Sequence, residues 1–249
     1  MNYTQKTDYP SIPDAQLASV VMAELQWHYE QDCIVKGKYW ENGKGCAVGC
    51  LLKGSNHIEY EKSFGIPVML AHLEDGMFEG LPKSDAALFP LDFMGACMTV
   101  GKTRKQRMKK LNVVGWQLFH WVLTEELPKT IIGNGDVYDN VRKAIAQCAD
   151  VLVPLTKGKK VNKKQARAAV HTARAARVAR VARAARVAAY AARVAAYAAV
   201  PASADAANAA ARVAAYKRMA DKLIELIKLA GVNTYNPELK LNLSEVMEQ

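Results

Sequence analysis

The chain is predicted to be mainly α: a compact helical N-terminal domain with one short β segment, followed by a long Ala/Arg-rich helical hairpin. Three observations predict this. Apolar residues recur at three- and four-residue spacing through most of the first 156 positions, the period of a one-sided helix. Pro and Gly fall between those stretches, where helices stop and start. From about Lys163 to Tyr216 the sequence is dominated by Ala and Arg, both strong helix formers. With 249 residues, 51% of them hydrophobic, there is material for a sizeable core.

Pro13-Asp14 opens the first helix, in which Leu17, Val20, Val21, Leu25 and His28 follow at helical spacing to about Gln31. Cys33 to Trp40 is β-branched and aromatic enough for a short strand ending at the turn signal Asn42-Gly43, the one extended element expected. Cys46 to Leu52 reads as a short helix. Ser55 is expected to cap another through Ser63, ended by Phe64-Gly65-Ile66. Pro67 sits where first-turn prolines belong, with Leu70, Leu73 and Met77 behind it, until Gly80 and Pro82. Ser84 to Val100 is expected as two pieces interrupted by Pro90. After a basic run, Val113–Leu127 carries Trp116, Phe119, His120 and Leu123 at 3–4 spacing, with Pro128 as its stop and His120 read as a core residue. The last front helix starts near Asp136, with Val137, Val141, Ile145, Cys148 and Leu152 as its apolar stripe before Pro154.

Thr156 to Lys160 is polar and basic, and marks the expected boundary between a domain at 1–156 and the hairpin at 157–232, with a polar tail at 233–249. Pro201 would divide the hairpin, since proline cannot donate inside a helix. Ser203 or Asp205 would cap the second arm, which is expected to run to about Ala230 and end at Gly231. Arg174, Arg177, Arg180, Arg183 and Arg186 recur every third residue. At about 100° per residue that step drifts by roughly 60°, so these arginines wind around the helix. Arg186/Tyr190, Arg193/Tyr197 and Arg212/Tyr216 are each four apart, in three copies of Arg-Val-Ala-Ala-Tyr, which stacks guanidinium on phenol along one face.

Charge is segregated along the chain. Residues 1–100 carry 7 basic and 13 acidic groups, and residues 101–200 carry 21 and 5. Such a middle third suits an anionic partner, and the acidic front half is an alternative, internal one. Lys102-Thr-Arg-Lys-Gln-Arg-Met-Lys-Lys110 packs six basic residues into nine. Gly43-Lys-Gly-Cys-Ala-Val-Gly49 is a glycine-rich turn feeding a helix. It matches neither the Walker nor the Rossmann pattern, and the glycines also read simply as a tight turn with close helix contact. The anion-contacting candidates are therefore Lys44, Lys102, Arg104, Lys105, Arg107, Lys109, Lys110, Arg174, Arg177, Arg180, Arg183, Arg186 and Arg193.

Five cysteines match no disulfide framework or zinc spacing, and no metal or cofactor is expected. Cys46 and Cys50 lie one turn apart with His57 beyond them. His72, Asp75 and Glu79 share a helix face with Glu74 nearby, the raw material of acid–base chemistry. No complete catalytic set emerges. The N-terminus has neither a basic start nor an apolar stretch of the signal-peptide kind, and a cytoplasmic, membrane-free protein is expected.

The sequence Tyr39-Trp-Glu-Asn-Gly-Lys-Gly-Cys-Ala-Val-Gly-Cys50, followed by Phe64-Gly-Ile-Pro67, Leu70-Ala-His-Leu-Glu-Asp75 and Phe78-Glu-Gly-Leu-Pro82, resembles a family of uncharacterised bacterial and phage proteins. The alanine-rich tract leading into Met219-Ala-Asp-Lys-Leu-Ile-Glu-Leu-Ile227 is also similar to theirs. The resemblance implies a mobile-element or accessory gene, a setting in which counter-defence factors are common, and it assigns no catalytic residues. The reading expected from the residues is a non-enzymatic binding protein engaging a nucleotide signal, a nucleic acid or a host defence protein. The rivals are a small-nucleotide hydrolase and an oligomeric scaffold joined through the alanine helices.

Overall fold

The computed structural model describes residues 5–130, 136–161, 164 and 206–232. Arg174, Arg177, Arg180, Arg183, Arg186 and Arg193, Pro201, the first arm of the expected hairpin and the tail from residue 233 lie outside the described residues, as do the caps Ser203 and Asp205.

The described chain is mainly α with one small antiparallel β pair, as the periodicity predicts. A 3-10 turn, Tyr9–Ser11, precedes α1 (Asp14–Glu30). Two two-residue strands follow, β1 (Trp40–Glu41) and β2 (Lys44–Gly45), then α2 (Ala47–Leu52), α3 (Glu59–Phe64), α4 (Val68–Gly80) and α5 (Lys83–Thr99). Beyond these come α6 (Arg104–Leu111), α7 (Val114–Trp121), α8 (Asp136–Thr156) and α9 (Ala206–Val232).

The β pair is shifted from the expected strand. Its register is Trp40 to Gly45 and Glu41 to Lys44, so Asn42 and Gly43 form the two-residue turn. Both carry positive φ, 52° and 79°, as a hairpin turn of this length demands. Residues 33–39 are not a strand: only Ile34 bridges to Gly45. Asn42-Gly43 is the turn the sequence predicts, and the hairpin is centred on it.

Three further boundaries differ from the sequence reading. Ser55 caps nothing: its carbonyl accepts from the His57 backbone and ring, and α3 begins at Glu59. Pro90 does not split α5, which runs unbroken from Lys83 to Thr99. A proline inside a helix costs about 3 kcal/mol. Phe89, Pro90, Phe93, Met94 and Cys97 are all buried, and α5 packs against α1, α4 and α9, which outweighs that cost. After α7 the chain widens into a π-helical turn at Val122–Glu126 and then tightens into a 3-10 turn at Leu127–Thr130, carrying Pro128 inside instead of stopping before it.

One large core joins α1 through α7 with α9. In α9, Tyr216, Met219, Ala220, Leu223, Leu226 and Ile227 are buried at 3–4 spacing, and the helix contacts α4, α5, α6 and α7. This helix belongs to the segment expected as the second arm of a hairpin, yet its apolar stripe is spent on the front unit. It also continues through Gly231 to Val232, past the expected stop. A smaller cluster of Leu123, Leu127, Val141, Ile145 and Ala149, with Cys148 and Leu152 against it, fixes α8 beside α7 and the π turn.

Candidate functional site

The basic run is itself a helix. Thr103 caps α6 by accepting from the Gln106 amide, and the Gln106 side chain reaches back to accept from the Lys102 amide, one residue before the cap. The helix period then sorts the cations. Arg104, Arg107 and Leu111 fall on the inner face, while Lys102, Lys105 and Lys109 are exposed.

Arg104 is a clamp. Its Nη1 donates to Asp14 Oδ1 at 2.6 Å, Nη2 to the carbonyls of Tyr9 and Ile12, and Nε to that of Ser63. Asp14 also accepts from the Arg104 backbone, so a carboxylate of the protein already occupies the positive N-terminus of α6. Arg107 is 2% exposed. Its Nε donates to Cys97 O at 3.0 Å and Nη1 to Phe64 O at 2.7 Å, so one guanidinium meets the C-terminal carbonyls of α5 and α3. Burial lowers its pKa, with the neighbouring Arg104 charge acting the same way and Asp14 opposing. Lys110 donates to Gly231 O at the end of α9. Three of the six expected anion contacts in this run are therefore engaged inside the molecule.

The remaining lysines gain company. Gln117 Nε2 donates to Thr156 O, and Gly158 lies against Val113, the residue immediately before α7. This brings the exposed Lys157, Lys159 and Lys160 to the α6–α7 junction, the end of α6 that carries Lys109. Among the described residues none of Lys102, Lys105, Lys109, Lys157, Lys159 and Lys160 has an ion pair. The two basic runs, separated by α7 and α8 in sequence, form one cationic edge. The sequence showed both runs, but their meeting depends on α7 packing along α8. In sequence, the second run leads directly into the arginine tract.

Lys44 is exposed on β2, but the glycine turn around it is no anion cradle. A Cβ at Gly45 or Gly49 would overlap the Tyr39 carbonyl oxygen, so the glycines admit a backbone acceptor where an anion would have to sit.

The other titratable candidates also converge. His57 and His72 stack at 4.1 Å between centroids, His57 Nε2 is 3.6 Å from Asp75 Oδ2, and the Tyr39 hydroxyl donates to Asp75 at 3.3 Å. His57 Nδ1 donates to Ser55 O, which leaves Nε2 facing Asp75 without a hydrogen bond. Glu79 stands apart, accepting from the Gly37 amide. Burial and the nearby Asp75 and Glu74 carboxylates push the Cys46 thiol far above its ordinary value, and burial raises Cys50 to about 12. Both are the reverse of an activated nucleophile. No group of three or more His, Cys, Asp or Glu among the described residues is arranged to hold a metal.

No helix among the described residues is long and apolar enough to cross a membrane. No family model, curated protein or solved structure matches the chain.

Proposed function

We propose that this protein is a non-enzymatic binder of an anionic partner, and that nucleic acid is the partner its cationic edge suits best. The observation that carries the reading is the union of Lys102, Lys105 and Lys109 with Lys157, Lys159 and Lys160 on one exposed edge without carboxylate partners. Unpaired ammonium groups at roughly one-turn spacing match the repeat of a phosphodiester backbone, and their counter-ions are released on contact. No aromatic residue is interleaved among residues 102–110, which favours backbone contact over base stacking. In the mobile-element setting that the family resemblance implies, such a protein would serve as an accessory, counter-defence factor.

Binding to duplex DNA, followed by fluorescence anisotropy over a salt series, tests this. Affinity is expected to fall steeply with salt, and Lys105→Glu with Lys109→Glu to flatten the log–log slope by roughly 0.9 for each lost phosphate contact. Salt-independent binding, or none at low salt, overturns the reading.

A second reading, hydrolysis of a small nucleotide, is favoured by the meeting of His57, His72 and Asp75. The raised thiols beside them oppose it as a nucleophilic site. Product formation from a nucleotide panel, abolished by His57→Gln, would establish it in place of simple binding.

A further inference from the structure

Beside the cationic edge, an open groove runs between α1 and α6. Ala15, Ala18 and Met98 make its apolar side, and Lys102, Gln106, Arg107 and Lys110 its polar side. Four of the residues lining this space, Lys102, Gln106, Arg107 and Lys110, carry N–H donors, and Thr99 and Thr103 add hydroxyls. Arg107 uses Nε and Nη1 on carbonyls, and Nη2 is left without a protein partner among the described residues. It has no carboxylate partner either, although the residue is almost wholly buried. Gln106 spends its carbonyl on the Lys102 amide, which leaves its NH2 as the free end. Lys102 has no ion pair, and Lys110 spends only one of its three protons, on Gly231. Asp14 is the one carboxylate on the rim, and Arg104 neutralises it.

A buried guanidinium is stable only when its charge is answered. The two helix ends it meets answer part of that charge, since each carries about half an elementary charge at most. Arg107 itself lines a space walled by further donors and a neutralised acid. We propose that this groove is a recognition site for a terminal phosphate group, with Arg107 at its floor and Lys102, Gln106 and Lys110 around it. A dianionic monoester suits it better than an internal phosphodiester. It carries more charge and three acceptor oxygens for donors converging from several directions. The apolar side accepts the body to which the phosphate is attached. The same chemistry arises from a free nucleotide or from the 5′ end of a strand. This site deepens the anion-binding reading above and rests on it for the strand case only.

The full-length protein is titrated with AMP, and with short DNA strands identical except for a 5′ phosphate or a 5′ hydroxyl. Calorimetry gives the affinities, and NMR follows the Arg107 side-chain N–H signals. The 5′-phosphorylated strand is expected to bind about tenfold more tightly than the hydroxyl strand, the size of a charge-assisted hydrogen-bond set. AMP is expected to shift the Arg107 signals. Gln106→Ala, a surface change outside the cationic edge, and Arg107→Lys, checked for folding by its melting curve, are expected to erase the preference while leaving the hydroxyl strand bound. Equal affinity for the two strands, with unmoved Arg107 signals, overturns the groove and leaves the cationic edge standing. AMP binding at Arg107 without strand binding supports the groove and overturns the edge. Failure of all three ligands overturns both.

Discussion

Three buried carboxylates are treated in different ways by their surroundings. Burial would raise the Glu24 carboxyl, but His28, Lys53 and Tyr9 overcome it and hold it below its ordinary value. Its oxygens accept from Tyr9 at 2.6 Å, Thr7 at 2.8 Å and Lys53 at 2.7 Å, and the Lys53 ammonium also lies over the Trp40 ring. Lys53 Nζ also lies 2.8 Å from His28 Nε2. Glu126 is likewise lowered: burial opposes, but the fork from Arg218, with Lys129 beside it, wins. Glu74 goes the other way, because both its oxygens are buried without a hydrogen bond and burial raises its carboxyl well above 4.5. The signs of their linkage to folding therefore differ. Glu24 and Glu126 contribute stability that is present above the unfolded carboxylate value and lost as pH falls through their folded values. Glu74 contributes stability present below 4.5 and lost as pH rises through its folded value. Glu74→Gln keeps the shape without the titration, so it is expected to gain about 1–3 kcal/mol over the parent near pH 8 and almost nothing near pH 4, read from paired denaturant melts. Equal effects at both pH values would contradict this. Arg218→Ala is expected to cost about 1–2 kcal/mol at neutral pH, a figure reduced because its side chain is half exposed and Lys129 remains. That loss should shrink as Glu126 is protonated in acid.

The legible parts of the fold were those where local chemistry alone sets the backbone. Pro13 and Pro67 mark the starts of α1 and α4, and Asn42-Gly43 marks the β turn. What stayed hidden depends on partners distant in sequence. Pro90 reads as a break because the packing of α5 against α1, α4 and α9 cannot be seen from its neighbours. The run 102–110 reads as charge, although Thr103 and Gln106 carry a capping signal and Arg104, Arg107 and Leu111 keep the helix period. Sorting those cations by period, not by count, would have separated the two inward arginines from the outward lysines. The partners of Arg107 are carbonyls at two helix ends, and carbonyls leave no mark in a sequence. The Gly43–Gly49 turn shows the same limit. Its glycines were visible, while the Tyr39 carbonyl that requires them was not. Gly49→Ala must displace that carbonyl or α2, so it is expected to cost more than about 3 kcal/mol, the overpacking regime. Gly43→Ala, with open space around its Cβ position, meets only the positive-φ penalty of about 1–2 kcal/mol. The ordering of these two variants in urea melts checks the assignment.

Across the whole molecule, α9 decides what counts as the folding unit. Its buried face supplies Tyr216, Met219, Ala220, Leu223, Leu226 and Ile227 to the core built by the front helices, and the Tyr216 ring covers Gly80 at the end of α4. Arg218 reaches Glu126 and Lys110 reaches Gly231, so both ends of the packed stretch are also tied by charge. Burying a large apolar side chain is worth about 1.5–3 kcal/mol, so the five larger of these six side chains together contribute an amount comparable with the roughly 5–15 kcal/mol margin of most domains. Removing them costs at least a large fraction of that margin. A chain ending at residue 161 is therefore expected to lose cooperative unfolding and to bind hydrophobic dyes, although it contains all of α1–α8. Adding residues 206–232 as a separate peptide is expected to restore a sharp melt, because the surface on α5 and α7 is shaped for that helix. The same experiment bears on the cationic edge. Lys110 and Arg107 sit beneath the α6 surface that α9 helps to hold, so loss of the helix should weaken DNA binding along with the melt, and the peptide should recover both. A truncated chain that melts cooperatively at the parental temperature would show instead that the front helices need no help from α9.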